Sequence, residues 1–102
     1  MACFALTMVS GPSWDASRQR REQEAWDEHA AFMDELVDEG FIVLGGPIGE
    51  GEKVLLVVEG EDQRDIEARL GEDPWVLMGL LRIGVIQPWT VWLDGRQRNR
   101  TP

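Results

Sequence analysis

The chain has 102 residues, of which 43% are hydrophobic and 28% are charged, a size and balance typical of one globular domain with its own core. Ten Lys and Arg residues against nineteen Asp and Glu residues give a formal net charge of −9, which repels a phosphate backbone and disfavours nucleic-acid binding. One cysteine and one histidine exclude an internal disulfide, a zinc finger and a His-rich metal site.

The N-terminal residues and the apolar runs indicate no membrane association. Residues 1–9 lack a basic region and are followed at once by Gly11 and Pro12, so we predict no secretory signal peptide. No apolar run approaches the length of about eighteen residues that a membrane-spanning helix needs. We therefore expect a cytoplasmic protein with no membrane partner.

Apolar periodicity and the positions of glycine and proline predict an alternation of strands and helices. In chain order, the predicted elements are a strand (2–9), a long helix (18–39), a strand (41–44), a glycine-rich connection (45–51), a strand (53–59), a helix (62–70), a short helical segment (75–81) and a strand (83–92) that Pro88 interrupts. The order β-α-β-β-α-β predicts a ferredoxin-like α+β fold, with a four-stranded antiparallel sheet and two helices on one face. We expect residues 1–94 to form this single domain and residues 95–102 to form a flexible, basic tail.

The predicted sheet carries apolar side chains on both of its faces. In the first strand Phe4 and Leu6 alternate with Cys3 and Ala5, whereas a sheet with one solvated face alternates apolar with polar residues. Two helices cover one face only, and no further element of the chain remains to cover the other. We therefore expect a homodimer whose two sheets pack face to face.

His29 is the most informative single residue. It lies within the apolar stripe of the long predicted helix, between Trp26 and Met33, where its polar ring atoms need partners. Imidazole exchanges protons near neutral pH and therefore suits general acid–base catalysis. The alternative is a structural histidine that binds a backbone carbonyl between helix and sheet.

Asp73 is the second candidate. An Asp that precedes a proline such as Pro74 at a helix start is an ordinary N-cap. A carboxylate has two oxygens, however, and the second could accept a hydrogen bond from an imidazole and fix its tautomer. In the predicted fold the second helix packs beside the first, so contact between His29 and Asp73 is feasible.

Aromatic and glycine residues supply candidate pocket walls. Trp26, Trp75 and Trp89 could line an aromatic pocket, or could belong to the core or to an interface. Gly46 and Pro47 could let a ligand approach the backbone closely, or could simply form a tight exit from a strand. No Lys-Ser/Thr pair follows this glycine-rich segment, so it is not a phosphate-binding loop.

Three arginines open the long predicted helix. Arg18, Arg20 and Arg21 lie where the helix dipole disfavours positive charge. One interpretation is an anion clamp. The other is a solvated face on which these arginines pair with Glu22 and Glu24.

Several short motifs follow one another between residues 4 and 92. They are His29 with Phe32 and Leu36, then Gly40, Gly46-Pro47, Asp73-Pro74-Trp75, Gly79-Leu80 and Pro88-Trp89. In this order and spacing they resemble the YCII-related domain family of the dimeric α+β-barrel group. The resemblance implies a ferredoxin-like fold, dimers with sheets packed face to face, and a His–Asp pair in a pocket, which maps onto His29 and Asp73.

One branch of this family has a characterised activity. This branch eliminates chloride from a chlorinated hydroxyhydroquinone, and its histidine and aspartate are the proposed catalytic residues. By this resemblance His29 and Asp73 are catalytic candidates here. Residues 13–21 and the basic tail match no shared motif.

We therefore expect a small-molecule enzyme that performs an elimination or isomerisation on a small aromatic or hydroxylated substrate. His29 would move a proton and Asp73 would orient it. The predicted substrate-binding residues are Trp26, Gly46, Pro47 and Trp75. The sequence has no metal-ligand cluster, dinucleotide motif or nucleophile elbow, so we expect neither a metal nor a cofactor. The alternative is a non-enzymatic ligand-binding or accessory domain.

Overall fold

The computed structural model describes residues 2–51 and 53–96. Its regular elements are β1 (Ala2–Ser10), a single 3-10 turn (Arg20–Glu22), α1 (Trp26–Asp38), β2 (Ile42–Ile48), β3 (Lys53–Gly60), α2 (Gln63–Leu70), α3 (Pro74–Leu77) and β4 (Leu81–Pro88). The strands form one antiparallel sheet in the order β2-β3-β1-β4. This topology confirms the predicted ferredoxin-like α+β fold. Within the described residues no helix is long and apolar enough to cross a membrane.

The core lies between the sheet and the helices. Along β1, Phe4, Leu6 and Met8 are buried, and the residues between them are only partly buried. Leu6 pairs with Leu56 of β3 and with Ile86 of β4, and paired residues share one face of a sheet. The buried helical side chains that complete this core are Leu36, Ile66, Leu70 and Trp75.

The sheet face turned away from the helices, here called the open face, also carries apolar residues. Thr7 pairs with Leu55, and both belong to this face because they alternate with core residues. Leu44 and Ile48 project from the same face, as does Val85, which directly precedes the core-facing Ile86; all three are exposed. Both faces of the sheet are therefore apolar, as the strand patterns predict.

The prediction of a long helix over residues 18–39 is wrong at its N-terminal end, because α1 begins only at Trp26. Ala25 has a left-handed φ of 59°, which a helix cannot contain. Before it, the buried Gln23 side chain accepts a hydrogen bond from the Asp15 N–H and donates to the carbonyls of Asp15 and Arg18. These bonds hold residues 11–25, the β1–α1 loop, in a path that is not α-helical.

The predicted glycine-rich connection over residues 45–51 is partly wrong, since β2 continues to Ile48. This strand therefore contains Pro47. Proline is tolerated there because β2 lies at the edge of the sheet, where a missing N–H donor breaks no central ladder.

Two further boundaries differ from the prediction. The short helical segment predicted over residues 75–81 is α3, which ends before Gly79, a residue with a φ of 77°. The strand predicted over residues 83–92 is β4, which runs from Leu81 to Pro88. Proline lacks the N–H that continues a ladder, and the described residues beyond it, 89–96, contain no regular element.

Only the start of the predicted tail is described. Arg96 forms an exposed ion pair with Asp94, and residues 97–102 lie outside the described part of the chain. The domain boundary near residue 94 therefore stays a prediction.

The β1–α1 loop is fastened to the turn between α3 and β4. Gly11 N–H donates to the Leu80 carbonyl at 2.9 Å, and Ser13 N–H donates to the Gly79 carbonyl at 2.9 Å. The backbones approach so closely that a Cβ on Gly11 would lie 2.3 Å from the Gly79 oxygen. Glycine is therefore required at position 11 for steric reasons.

We expect Gly11→Ala to lower the free energy of unfolding by about 1–3 kcal/mol, the usual cost of forcing an extra carbon into a packed site. Thermal unfolding followed by circular dichroism would measure the loss. Gly46→Ala is the matched control, because a Cβ there would meet no atom within 4 Å. Equal melting temperatures for the two variants would contradict the close approach of these backbones.

Candidate active site

His29 lies in the first turns of α1 and faces the core. Its side chain is buried, with 6% of the residue exposed. Trp26 and Met33, on the same helix face, pack against the hydrophobic core. The apolar stripe of α1 therefore carries one polar ring into the interior.

Asp73 begins α3, directly after α2. Its carboxylate accepts a hydrogen bond from the Trp75 N–H at 3.0 Å and caps the helix, and Pro74 at the first helical position needs no acceptor. The residue is fully buried. A buried carboxylate is costly without further hydrogen bonds or a cation, so one backbone donor leaves it under-satisfied.

The His29 ring supplies the missing donor. Its Nδ1 lies 2.9 Å from each of the two carboxylate oxygens of Asp73. A carboxylate only accepts hydrogen bonds, so Nδ1 carries the proton. The neutral ring is thereby held in the tautomer that leaves a lone pair on Nε2.

The other ring nitrogen, Nε2 of His29, has no hydrogen-bond partner among the described residues. None of their buried side-chain nitrogen or oxygen atoms lacks a partner, so Nε2 accounts for part of the small exposed area of His29. It is the atom of the pair that a ligand could reach.

Trp75 fixes the plane of the imidazole. The two rings stack with centroids 3.9 Å apart and an angle of 4° between their planes. The indole is itself held, because its Nε1–H donates to the Glu24 carbonyl at 2.6 Å. Trp26 contacts the same ring with centroids 5.9 Å apart. The turn at residues 73–75 thus fixes the His29 ring twice, by the hydrogen bond to Asp73 at the ring edge and by the stacked Trp75 at the ring face.

A second layer of side chains from the β1–α1 loop covers Trp75. Trp14 meets it edge to face at a centroid distance of 5.5 Å. The Arg20 guanidinium carbon lies 5.5 Å from the Trp14 ring and 5.7 Å from the Trp75 ring. Burial against these rings lowers the pKa of Arg20, because it disfavours the charged form.

Trp14 and Gln23 have no predicted role in the site. Trp14 lies between the predicted first strand and long helix, and Gln23 lies within the helix predicted over residues 18–39. The sequence does contain a weak signal for a layer of aromatic and cationic side chains, because a tryptophan and several arginines precede the helix that carries the histidine. Only the fold shows that these side chains lie together.

The structure brings four of the predicted site residues together. His29, Asp73, Trp26 and Trp75 form one contiguous cluster. Gly46 and Pro47 lie on β2, the strand at the sheet edge opposite β4, and none of the hydrogen bonds or ring contacts of His29 involves them. A role for these two residues in substrate binding stays a prediction.

A pocket of about 310 Å³ lies between α1 and α2. Its lining residues are Phe32, Glu35, Leu36, Glu39, Arg69 and Glu72. Glu72 precedes Asp73 in the chain and Phe32 follows His29 by three residues, but neither His29 nor Asp73 lines the pocket. No group of three or more His, Cys, Asp or Glu side chains in residues 2–51 and 53–96 is arranged to hold a metal ion.

Comparison with known proteins finds a likeness among solved structures, whereas no protein-family model and no curated protein sequence matches the chain. Among solved structures, it is similar to a 5-chloro-2-hydroxyhydroquinone dehydrochlorinase from Burkholderia phenoliruptrix AC1100, in complex with 2,5-dihydroxybenzoquinone. The TM-score is 0.59 at 21% sequence identity, over 86% of this chain and 93% of the other. At this identity the likeness shows a shared fold.

We expect Asp73→Asn to reverse the tautomer of His29. One side-chain oxygen would remain on the Trp75 N–H, so the amide NH₂ would face Nδ1 and donate to it, which moves the ring proton to Nε2. The ¹⁵N chemical shifts of the single imidazole would report this change.

Asp62→Asn is the matched control for that variant. Asp62 caps α2 by accepting from the Asp65 N–H at 2.8 Å, and asparagine caps helices almost as well as aspartate. Both variants should therefore fold, and only the change at position 73 should move the histidine signals. An unchanged tautomer in Asp73→Asn would contradict the pairing.

Proposed function

We propose that this chain is a small-molecule lyase or isomerase of the YCII-related type, with His29 as its acid–base catalyst and Asp73 as the residue that orients it. The observation that carries the proposal is the hydrogen bond from His29 Nδ1 to the buried Asp73 carboxylate at 2.9 Å. This contact leaves a basic lone pair on Nε2 and prepares a partner for the positive charge that forms when Nε2 takes a proton.

The chemistry needs one proton transfer at Nε2. The lone pair would remove a proton from a carbon or hydroxyl of the substrate, and Asp73 would stabilise the resulting imidazolium. In an elimination, the electron pair of the broken bond forms the new double bond and the leaving group departs with its own pair. In an isomerisation, His29 would return the proton to a different atom. Neither route needs a metal or a cofactor.

The proposed substrate is a small aromatic or hydroxylated molecule. Trp26 is only partly buried and contacts the imidazole, so a flat ring could stack on it. The fully buried Trp75 would shape the pocket by holding the imidazole in place, and we propose Gly46 and Pro47 as further contacts. The dehydrochlorinase of the same fold was solved with a small hydroxylated quinone, a molecule of this class. That likeness supports the proposal together with the sequence resemblance to the family.

A second candidate function is a non-enzymatic ligand-binding or accessory domain. The near-complete burial of His29 favours it, because a sealed imidazole would serve only to satisfy the Asp73 carboxylate. The pocket between α1 and α2 also lacks both residues of the pair.

Turnover by a histidine variant separates the two functions. We expect the protein to release chloride from 5-chloro-2-hydroxyhydroquinone or to convert a related hydroxylated ring, measured by ion chromatography and absorbance. His29→Gln should lower the rate roughly 100-fold to 10,000-fold, the usual contribution of general acid–base catalysis. If no such ring is converted, and ligands raise the melting temperature of wild type and variant alike, the accessory function is correct.

We also propose that the protein is a cytoplasmic homodimer in which residues 1–94 form the folded unit. The exposed apolar residues of the open face, Leu44, Ile48 and Val85, would pack against the same residues of a second copy. Such an interface should bury more than roughly 1,000 Å² in total.

Aspartate substitutions at two equally exposed residues test the dimer. Val85 on the open face is 72% exposed and Leu77 on α3 is 74% exposed. We expect the wild type and Leu77→Asp to sediment as dimers at micromolar concentration, and Val85→Asp to shift toward monomer, because a buried unpaired charge is costly. A monomeric, well-folded wild type would contradict the dimer.

A further inference from the structure

Arg20 occupies an unusual position in the β1–α1 loop. It is half-buried, and its guanidinium lies over the rings of Trp14 and Trp75. Trp75 is the indole that stacks on His29 at 3.9 Å. Arg20 and the imidazole therefore both contact the same indole.

Arg20 has no carboxylate partner among the described residues. The close arginine–carboxylate pairs among these residues are Arg18 with Asp15, Arg69 with Glu39 and Arg96 with Asp94. The chain contains nineteen acidic residues, so the lack of a partner at Arg20 does not come from a shortage of carboxylates. A partly buried cation without a counter-ion is unfavourable, and a bound anion would offset that cost.

The loop holds this guanidinium in place before any ligand arrives. Gln23 ties the loop to itself through the backbone of Asp15 and Arg18, and Gly11 and Ser13 tie it to the turn between α3 and β4. A group that is already ordered loses little conformational entropy on binding. The position of Arg20 is thus suited to recognition as well as to packing.

A second arginine reinforces the same region. The Arg21 guanidinium carbon lies 5.8 Å from the ring of Trp26, the other indole that contacts His29. Each of the two indoles in contact with the imidazole therefore carries a guanidinium, in a chain whose formal net charge is −9. The cations are concentrated where the rest of the molecule would repel an anion.

We infer that Arg20 binds the anionic oxygen group of the ligand, so that the substrate is an acidic aromatic ring that carries a carboxylate or an ionised phenol. The inference rests on the proposed function and specifies its substrate class. A guanidinium matches the two oxygens of a carboxylate with parallel hydrogen bonds. In a proton abstraction by His29, the same group would stabilise the negative charge that develops on a ring oxygen.

A charged and a neutral probe of the same shape test this inference. We expect the wild type to bind 2,5-dihydroxybenzoate roughly tenfold or more tightly than 2,5-dihydroxybenzamide, since hydrogen bonds to charged groups are the strong ones. Arg20→Gln should abolish the preference for the charged probe. Arg20→Lys should retain part of it, because lysine keeps the positive charge but lacks the two parallel N–H donors of a guanidinium. Arg18→Gln is the matched control and should keep the preference, because Arg18 is exposed and already paired with Asp15.

The outcomes separate this inference from the proposed function. Equal binding of the two probes, no binding of either at millimolar concentration, or an unchanged preference in Arg20→Gln would each overturn it, and Arg20 would then serve only to cover Trp75. His29→Gln should keep the preference, because Arg20 is intact. If the preference depends on Arg20 but no aromatic ring is converted, the anion site stands and the enzymatic function fails.

Discussion

The hydrogen bond between His29 Nδ1 and the Asp73 carboxylate is the contact on which the arrangement of the site depends. Asp73 is fully buried, and a carboxylate in that position is stable only when donors surround it. The Trp75 N–H provides one donor and His29 provides the other. The turn at residues 73–75 and the helix α1 are therefore fixed relative to each other by the same contact that sets the proton position on the imidazole.

The β1–α1 loop closes the site from outside. Its residues place Trp14 and Arg20 over Trp75, and the exclusion of water strengthens the electrostatic interaction between His29 and Asp73. The same enclosure leaves little of His29 exposed. Access to Nε2 is consequently the property that separates a catalytic pair from a structural one.

Much of this arrangement could be predicted from local sequence, and the remainder depends on contacts between distant residues. The order of strands and helices follows from apolar periodicity and from breakers such as Gly40, and the cap at Asp73 follows from the proline after it. The start of α1 could not be predicted, because Gln23 opposes helix formation through hydrogen bonds to Asp15, eight residues earlier. The strand position of Pro47 likewise depends on the sheet order, which makes β2 an edge.

The ¹⁵N spectrum of the His29 imidazole in the native protein, with and without a bound hydroxylated aromatic acid, shows whether Nε2 is the base of the site. We expect Nδ1 to carry the proton in the neutral ring in both states, and we expect the ligand to shift the signal of Nε2. A neutral ring protonated at Nε2, or a ligand that binds without moving the Nε2 signal, would contradict the claim that this nitrogen is the base of the site.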